Sequence, residues 1–219
     1  LHDALPILSV LVAFVHLPVL AGGSLFFNDV TELNVPLHHF FGAAWARGAF
    51  PLWAPDVYLG FPIFAEGQGG PLYPPNWLFA LMPAWRAYGL LFVGHLAVAA
   101  IGTFLFLRRH VQRPAAFIGG GLYALTGFIA VHHMHLNMVQ AAALTPVVLA
   151  AFERMLATGR PRDLAWTALV LGLLALIGHP QTTIQAGATL AGYAALRIGG
   201  LPEGAWRPAM VSTLLAVLL

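Results

Sequence analysis

From Ala87 to Leu107 no Asp, Glu, Lys or Arg interrupts an apolar run, and the run stops at Arg108-Arg109-His110. About 20 apolar residues make a helix long enough to cross the hydrocarbon core of a bilayer. Shorter runs of the same kind recur: Ile7–Leu20, Ala115–Val131, Met138–Phe152, Leu164–Ile177 and Thr182–Leu196. Another begins at Pro208. Polar or helix-breaking groups bound them, among them Pro114, His132-His133, Glu153-Arg154, Gly178-His179-Pro180 and Arg197. Composition closes the argument. Charged residues make up 8% of the chain, against about 25% in a soluble domain. That is too little charge for an ordinary water-facing surface, so soluble, disordered and fibrous classes are excluded. The expectation is an all-α, polytopic transmembrane bundle of about six spans plus the start of a seventh, forming one domain over 1–219.

All ten basic residues are arginines and the net charge is only +2. Their scatter along the chain is not the footprint of a nucleic-acid binder. There is no cysteine, hence no disulfide and no thiolate metal site. The opening Leu1–Ile7 resembles read-through of a sequencing adapter and is set aside from fold reasoning. Because the chain starts at Leu1 and stops at Leu219 inside an apolar run, it is expected to be the N-terminal portion of a larger membrane protein.

Arginine placement orients the spans. Arg108, Arg109 and Arg113 fall between the second and third, Arg154, Arg160 and Arg162 between the fourth and fifth, and Arg197 and Arg207 between the sixth and seventh. If the spans alternate, all of these share one face, and only Arg47 and Arg86 remain for the other. The positive-inside bias makes the arginine-rich face cytoplasmic. The opposite face then carries the loop 21–86, the His132–Asn137 turn and the Gly178–Gln181 turn. Asp29, Glu32, Asp56 and Glu66 lie there, with six of the ten histidines.

The loop 21–86 is too long for a bare connection, and it holds about half of the chain's aromatic residues, a density that suits the headgroup level of a membrane. Pro36–Arg47 reads as an interfacial helix, with Leu37, Phe40, Phe41, Ala44 and Trp45 on one side. Beyond it, frequent prolines and glycines exclude a long helix, so an ordered, irregular extracytoplasmic cap is expected. Two stripes of small residues, Ala116-Gly120-Ala124 and Gly187-Ala191, predict close helix packing.

Several blocks carry a resemblance: Asn28-Asp29-Val30, then Arg47-Gly48-Ala49-Phe50-Pro51-Leu52-Trp53-Ala54-Pro55, Gly60-Phe61-Pro62, Gln68-Gly69-Gly70-Pro71-Leu72-Tyr73-Pro74-Pro75-Asn76 and Gly178-His179-Pro180-Gln181. Together they resemble the bacterial YfhO-like membrane proteins, which are similar to the GT-C superfamily of glycosyltransferases, from about Leu8 onward. The resemblance implies a bacterial inner-membrane enzyme. Such an enzyme takes a sugar from a polyprenyl phosphate in the membrane lipid and transfers it to an extracytoplasmic cell-envelope glycan or polymer. It also implies an acidic residue near the exit of the first span, which Asp29 matches, and a second acid for which Glu66 and Glu32 are the candidates.

Chemically, such a transfer needs a base for the acceptor hydroxyl and positive charge near the departing phosphate. Asp29 and Glu66 are the catalytic candidates, with capping of a following helix as the alternative role for Asp29. His179, Gln181, Gln68, Glu32, His132 and His133 are the substrate-binding candidates. His179-Pro180-Gln181 offers polar groups to a lipid phosphate, against a plain helix break. His132-His133-x-His135 is not a metal-specific spacing, and an interfacial turn is the preferred reading. A divalent metal ion stays open as a cofactor. His16 and His95, inside spans, read as neutral histidines bonded to neighbouring helices. The rival functions are a transporter or lipid flippase, which calls for discontinuous helices and polar groups at mid-membrane, and a non-catalytic membrane scaffold.

Overall fold

The computed structural model describes residues 4–202 and 204–219. Of the opening Leu1–Ile7, residues 1–3 lie outside the described residues, and Ala4–Ile7 form the first turn of a helix. The chain is helical: α1 (Ala4–Val15), α2 (Leu17–Leu20), α3 (Val35–Ala46), α4 (Ile63–Glu66), α5 (Ala84–Leu107), α6 (Arg113–Ala124), α7 (Gly127–Val131), α8 (Leu136–Thr158), α9 (Pro161–Leu176), α10 (Pro180–Gly199) and α11 (Trp206–Leu218). Among the described residues the only strand-like pairing is a single bridge between Ala54 and Phe61.

Among the described residues, three helical stretches are long and apolar enough to cross a membrane: Ala84–Leu107, Arg113–Met134 and Leu136–Thr158, of 24, 22 and 23 residues. They correspond to the second, third and fourth expected spans. The first is interrupted: α1 stops at Val15, and His16 divides it from α2, which carries Pro18 in its first turn. Helices α1 and α11 are apolar but short. Helix α9 has 16 residues, and α10, though 20 residues long, is diluted by Gln181, Thr182, Thr183, Gln185 and Thr189.

Helix α5 is the axis. It starts after Pro83, runs without a charged residue from Ala87, and packs against α1, α6 and α8. Small residues set the approach. A Cβ on Gly120 would stand 2.6 Å from the Ala100 carbonyl oxygen, and one on Gly102 would meet Val147 at 2.7 Å. Ala116, Gly120 and Ala124 are all buried, so this stripe lies against a neighbour as the spacing predicts. Gly187 and Ala191 do not: both are exposed, and a Cβ on Gly187 would meet open space. Small size permits close packing but does not supply the partner.

Pro146 lies inside α8 and cannot donate to the carbonyl one turn earlier. That carbonyl, of Ala142, accepts a hydrogen bond from Tyr123 Oη at 3.0 Å, so the proline leaves no unpaired group in an apolar setting. The stretch Arg113–Met134 is itself broken at Leu125-Thr126, where Thr126 is extended. A recess of about 300 Å³ opens beside the break, with Thr126, Thr145, Thr182, Gln185 and Thr189 in its wall.

Residues 21–83 fold into a compact layer at one end of these helices. Its outer boundary differs from the expected one, since α5 already begins at Ala84. Arg86, in the first turn of α5, donates to the carbonyls of Val19 and Leu20 at 2.8 and 2.7 Å and closes the end of α2. Helix α3 follows a turn of π-helix, Val30–Asn34, and matches the expected helix within a residue. Its buried side is rotated from the expected one and includes His38 and Gly42 with Phe41 and Ala44. The cause is Gly42, whose missing side chain lets α3 sit on the backbone of Phe79 in the 3₁₀ helix Pro74–Ala80.

Hydrogen bonds sew this layer to the bundle. Gln140 on α8 donates to Asn76 Oδ1 at 2.7 Å, and Asn76 donates to the carbonyls of Gly69 and Gly70. Tyr73 Oη lies 2.9 Å from Nε2 of His95, whose Nδ1–H donates to the Leu91 carbonyl. Gly70 and Gly178, both at positive φ, bring the turn 67–70 against the end of α9. A Cβ on Gly178 would collide with the Gly67 carbonyl oxygen, and one on Gly70 would stand 2.5 Å from that of Ile177. Gly178→Ala is therefore expected to destabilise the protein by more than about 1 kcal/mol, since it adds a backbone collision to an unfavourable φ. A thermal unfolding comparison checks this, and an unchanged melting temperature would mean that the turn is free to move aside.

Candidate functional site

Asp29 sits at the start of the π-helical turn. Phe27 and Asn28 just before it have φ of 117° and 46°, a sharp reversal that costs about 1–3 kcal/mol per strained residue. Asp29 does not cap the turn with its side chain. Its Oδ2 instead accepts a hydrogen bond from Nε2 of His135 at 3.0 Å. Asn34 fixes the geometry between them, because its amide donates to the Asp29 carbonyl at 3.2 Å and to the Met134 carbonyl at 2.7 Å. One side chain thus holds the segments that carry both partners. Nδ1 of His135 is buried and, among the described residues, has no hydrogen-bond partner.

His135 also lines a cavity of about 830 Å³ between α3, the 54–68 segment and the start of α8. Glu32, Asp56 and Glu66 bring carboxylates to its wall, Arg47 a guanidinium, and Asn34, Asn137 and Gln68 amides. Phe40, Tyr58 and Phe61 provide flat apolar surface. Asn137 donates to the Gln68 carbonyl at 2.9 Å, and Glu66 Oε2 accepts from the Gln68 amide at 3.0 Å. A cavity with acids, amides and aromatic faces can bind a polyhydroxylated ligand, the acids and amides taking hydroxyls and the rings taking apolar sugar faces.

Of the sequence candidates, Glu66, Glu32 and Gln68 line this cavity, and Asp29 adjoins it through His135. His132 and His133 do not line it. Their Nδ1–H groups donate to the carbonyls of Phe128 and Ala130, which closes the end of α7. His179 is the N-cap of α10: its Nδ1 accepts from the Thr182 amide at 3.2 Å. Burial, then the nearby His135 and His132, hold its pKa below the ordinary histidine value. Gln181 is exposed in the first turn of α10. Sequence reasoning weighed His135 and Asn137 only as parts of a polar turn, not as the partner of Asp29 and a cavity residue, and it passed over Arg47 and Asn34. Among the described residues no three His, Asp or Glu side chains are grouped so as to hold a metal ion.

His38 underlies the cavity. It is buried, stacks on Phe79 with ring centroids 4.3 Å apart, and donates from Nδ1 to the Asn34 carbonyl at 2.7 Å. Burial pushes its pKa down to about 4, against the raising effect of the Asn34 and Gly69 carbonyls. The unfolded chain binds this proton below about 6.5 and the folded chain does so only near 4, so stability from this group is complete above pH 6.5 and declines as pH falls toward 4. Roughly 3 kcal/mol is at stake at about 1.4 kcal/mol per pKa unit. His38→Gln is expected to flatten the difference in melting temperature between pH 7 and pH 4.5, and parallel profiles for the two proteins would exclude His38 as the source.

Comparison of the chain with family models, with curated proteins and with solved structures finds no match to any of them.

Proposed function

We propose that the chain belongs to a multi-pass bacterial inner-membrane glycosyltransferase that moves a sugar from a polyprenyl phosphate to an extracytoplasmic cell-envelope acceptor. The observation that carries this reading is the Asp29–His135 hydrogen bond beside a large cavity rich in carboxylates and amides. The resemblance of the Asp29, Trp53, Tyr73 and His179 blocks to YfhO-like and GT-C proteins supports it. In this reading α1–α2 form the first span, and α9 to α11 continue the set beyond the three long helices.

In the proposed step the acceptor hydroxyl gives its proton to the Asp29 carboxylate. Its oxygen forms a bond to the anomeric carbon while the bond from that carbon to the phosphate oxygen breaks. The electron pair leaves with the polyprenyl phosphate, and Arg47 meets the negative charge. His135 holds the carboxylate in place by its Nε2–H. Glu66, Glu32, Gln68 and Asn137 bind sugar hydroxyls.

Asp29→Asn removes the base while keeping its size. It is expected to lower transfer by about 10² or more, the usual range for a lost general base, with membrane expression unchanged. Near-native transfer by this variant would remove Asp29 from the mechanism. His135→Ala should cause a smaller loss.

A transporter or flippase is the second reading, favoured by the break at Leu125-Thr126 and its hydroxyl-lined recess. Under that reading Thr126→Val and Thr145→Val impair substrate movement while Asp29→Asn leaves it intact.

Sidedness has its own test, made simple by the absence of native cysteine. Impermeant thiol reagents added outside should label Ser24→Cys and His133→Cys and spare Arg160→Cys. The reverse pattern would invert the proposed orientation.

A further inference from the structure

At the end of the bundle away from the Asp29 cavity, a second recess of about 400 Å³ opens between α5, α8 and the start of α9. Four arginines border it, Arg108, Arg109, Arg154 and Arg162, and its carboxylate is that of Asp163. Asp163 is committed: Arg154 Nε donates to it at 2.7 Å and Thr158 Oγ1 at 2.6 Å. Among the described residues no carboxylate pairs with Arg108, Arg109 or Arg162. Arg108 is crowded as well as unpaired. Burial, and then Arg109, Arg113 and Arg154, hold its pKa below the ordinary arginine value. Such a cluster of like charges is relieved by an anion.

The rest of the wall is apolar. Leu105, Val147, Ala150 and Ala151 continue from the arginines toward the middle of α5 and α8, and Trp166 is half exposed at the rim. Arginines at the ends of long apolar helices, apolar wall on one side and a tryptophan at the boundary together describe a site at headgroup depth. A free anion would use only the arginines. An anionic lipid uses both parts, its phosphate between the guanidiniums and its acyl chains along the apolar wall.

We infer that this recess binds the phosphodiester headgroup of an anionic phospholipid from the leaflet facing the arginine-rich end. The inference rests on the proposal that these helices span a membrane, and it is independent of the glycosyl-transfer step.

The test uses the full chain recovered from the membrane fraction and reconstituted into phosphatidylcholine nanodiscs, with and without phosphatidylglycerol. Phosphatidylglycerol should raise the melting temperature by several degrees and copurify with the protein. In Arg108→Gln/Arg162→Gln the shift should vanish, with apparent lipid affinity down by about tenfold or more, as expected for lost charge-assisted hydrogen bonds. Arg160→Gln, on the same connection but outside the recess, should behave as native. Arg108→Lys/Arg162→Lys, which keeps the charge, should retain part of the shift and shows that the recess still forms. An unchanged shift in the glutamine variant would overturn the site. An equal shift from inorganic phosphate without phosphatidylglycerol would overturn the lipid as its occupant. A chain found only outside the membrane fraction would overturn the spanning reading and the lipid site together.

Discussion

Close backbone approach along α5 is the constraint on which the rest of the structure depends. Helices that share an apolar environment gain little from excluding water between them, so they associate through packing and hydrogen bonds. Here glycine and alanine remove the side chains that would hold the helices apart, at Gly102 against α8 and at Gly120 against the Ala100 carbonyl. Once α5, α6 and α8 are locked in this way, the positions of their ends are determined. The turn carrying His135 and the carbonyls that receive the loop layer are then set at one end, and Arg108 and Arg154 at the other.

The sequence was informative wherever one period or one residue type dominated. The uninterrupted apolar run of α5, the run of α8 and the proline in the first turn of α6 located the three long helical stretches. The arginines located their polar ends. The loop was legible as ordered, through its aromatics, but its packing was not. The choice of buried face on α3 turns on Gly42 meeting Phe79, and neither residue announces the other in sequence. The interruption at His16 was hidden inside an apolar stretch. The break at Leu125-Thr126 was likewise hidden, because Thr126 leaves the helix although nothing in the hydropathy marks that turn.

The candidate site divides the same way. Asp29 and Glu66 were legible as two of four acids in the loop 21–86 of a sparsely charged chain, with Asp29 singled out by the resemblance. The pairing of Asp29 with His135 joins residues 106 positions apart, and no local pattern encodes that distance. His132, His133 and His135 look equivalent in sequence. The structure separates them by where each ring bonds: two close the end of α7, and the third turns to the carboxylate. His179 has the same lesson, since a polar residue at a helix break has an orphan backbone N–H to satisfy before it is free for a ligand.

The turn 67–70 is held from two sides. Gln68 borders the Asp29 cavity and takes a hydrogen bond from Asn137, while Gly67 and Gly70 rest on Gly178 and Ile177. With no side chain on either glycine, no soft layer separates the two backbones. A ligand that displaced Gln68 would press directly on the backbone of the α9–α10 junction. Any shift of that junction on binding would be reciprocal, so that whatever tightened one end would tighten the other by the same free energy.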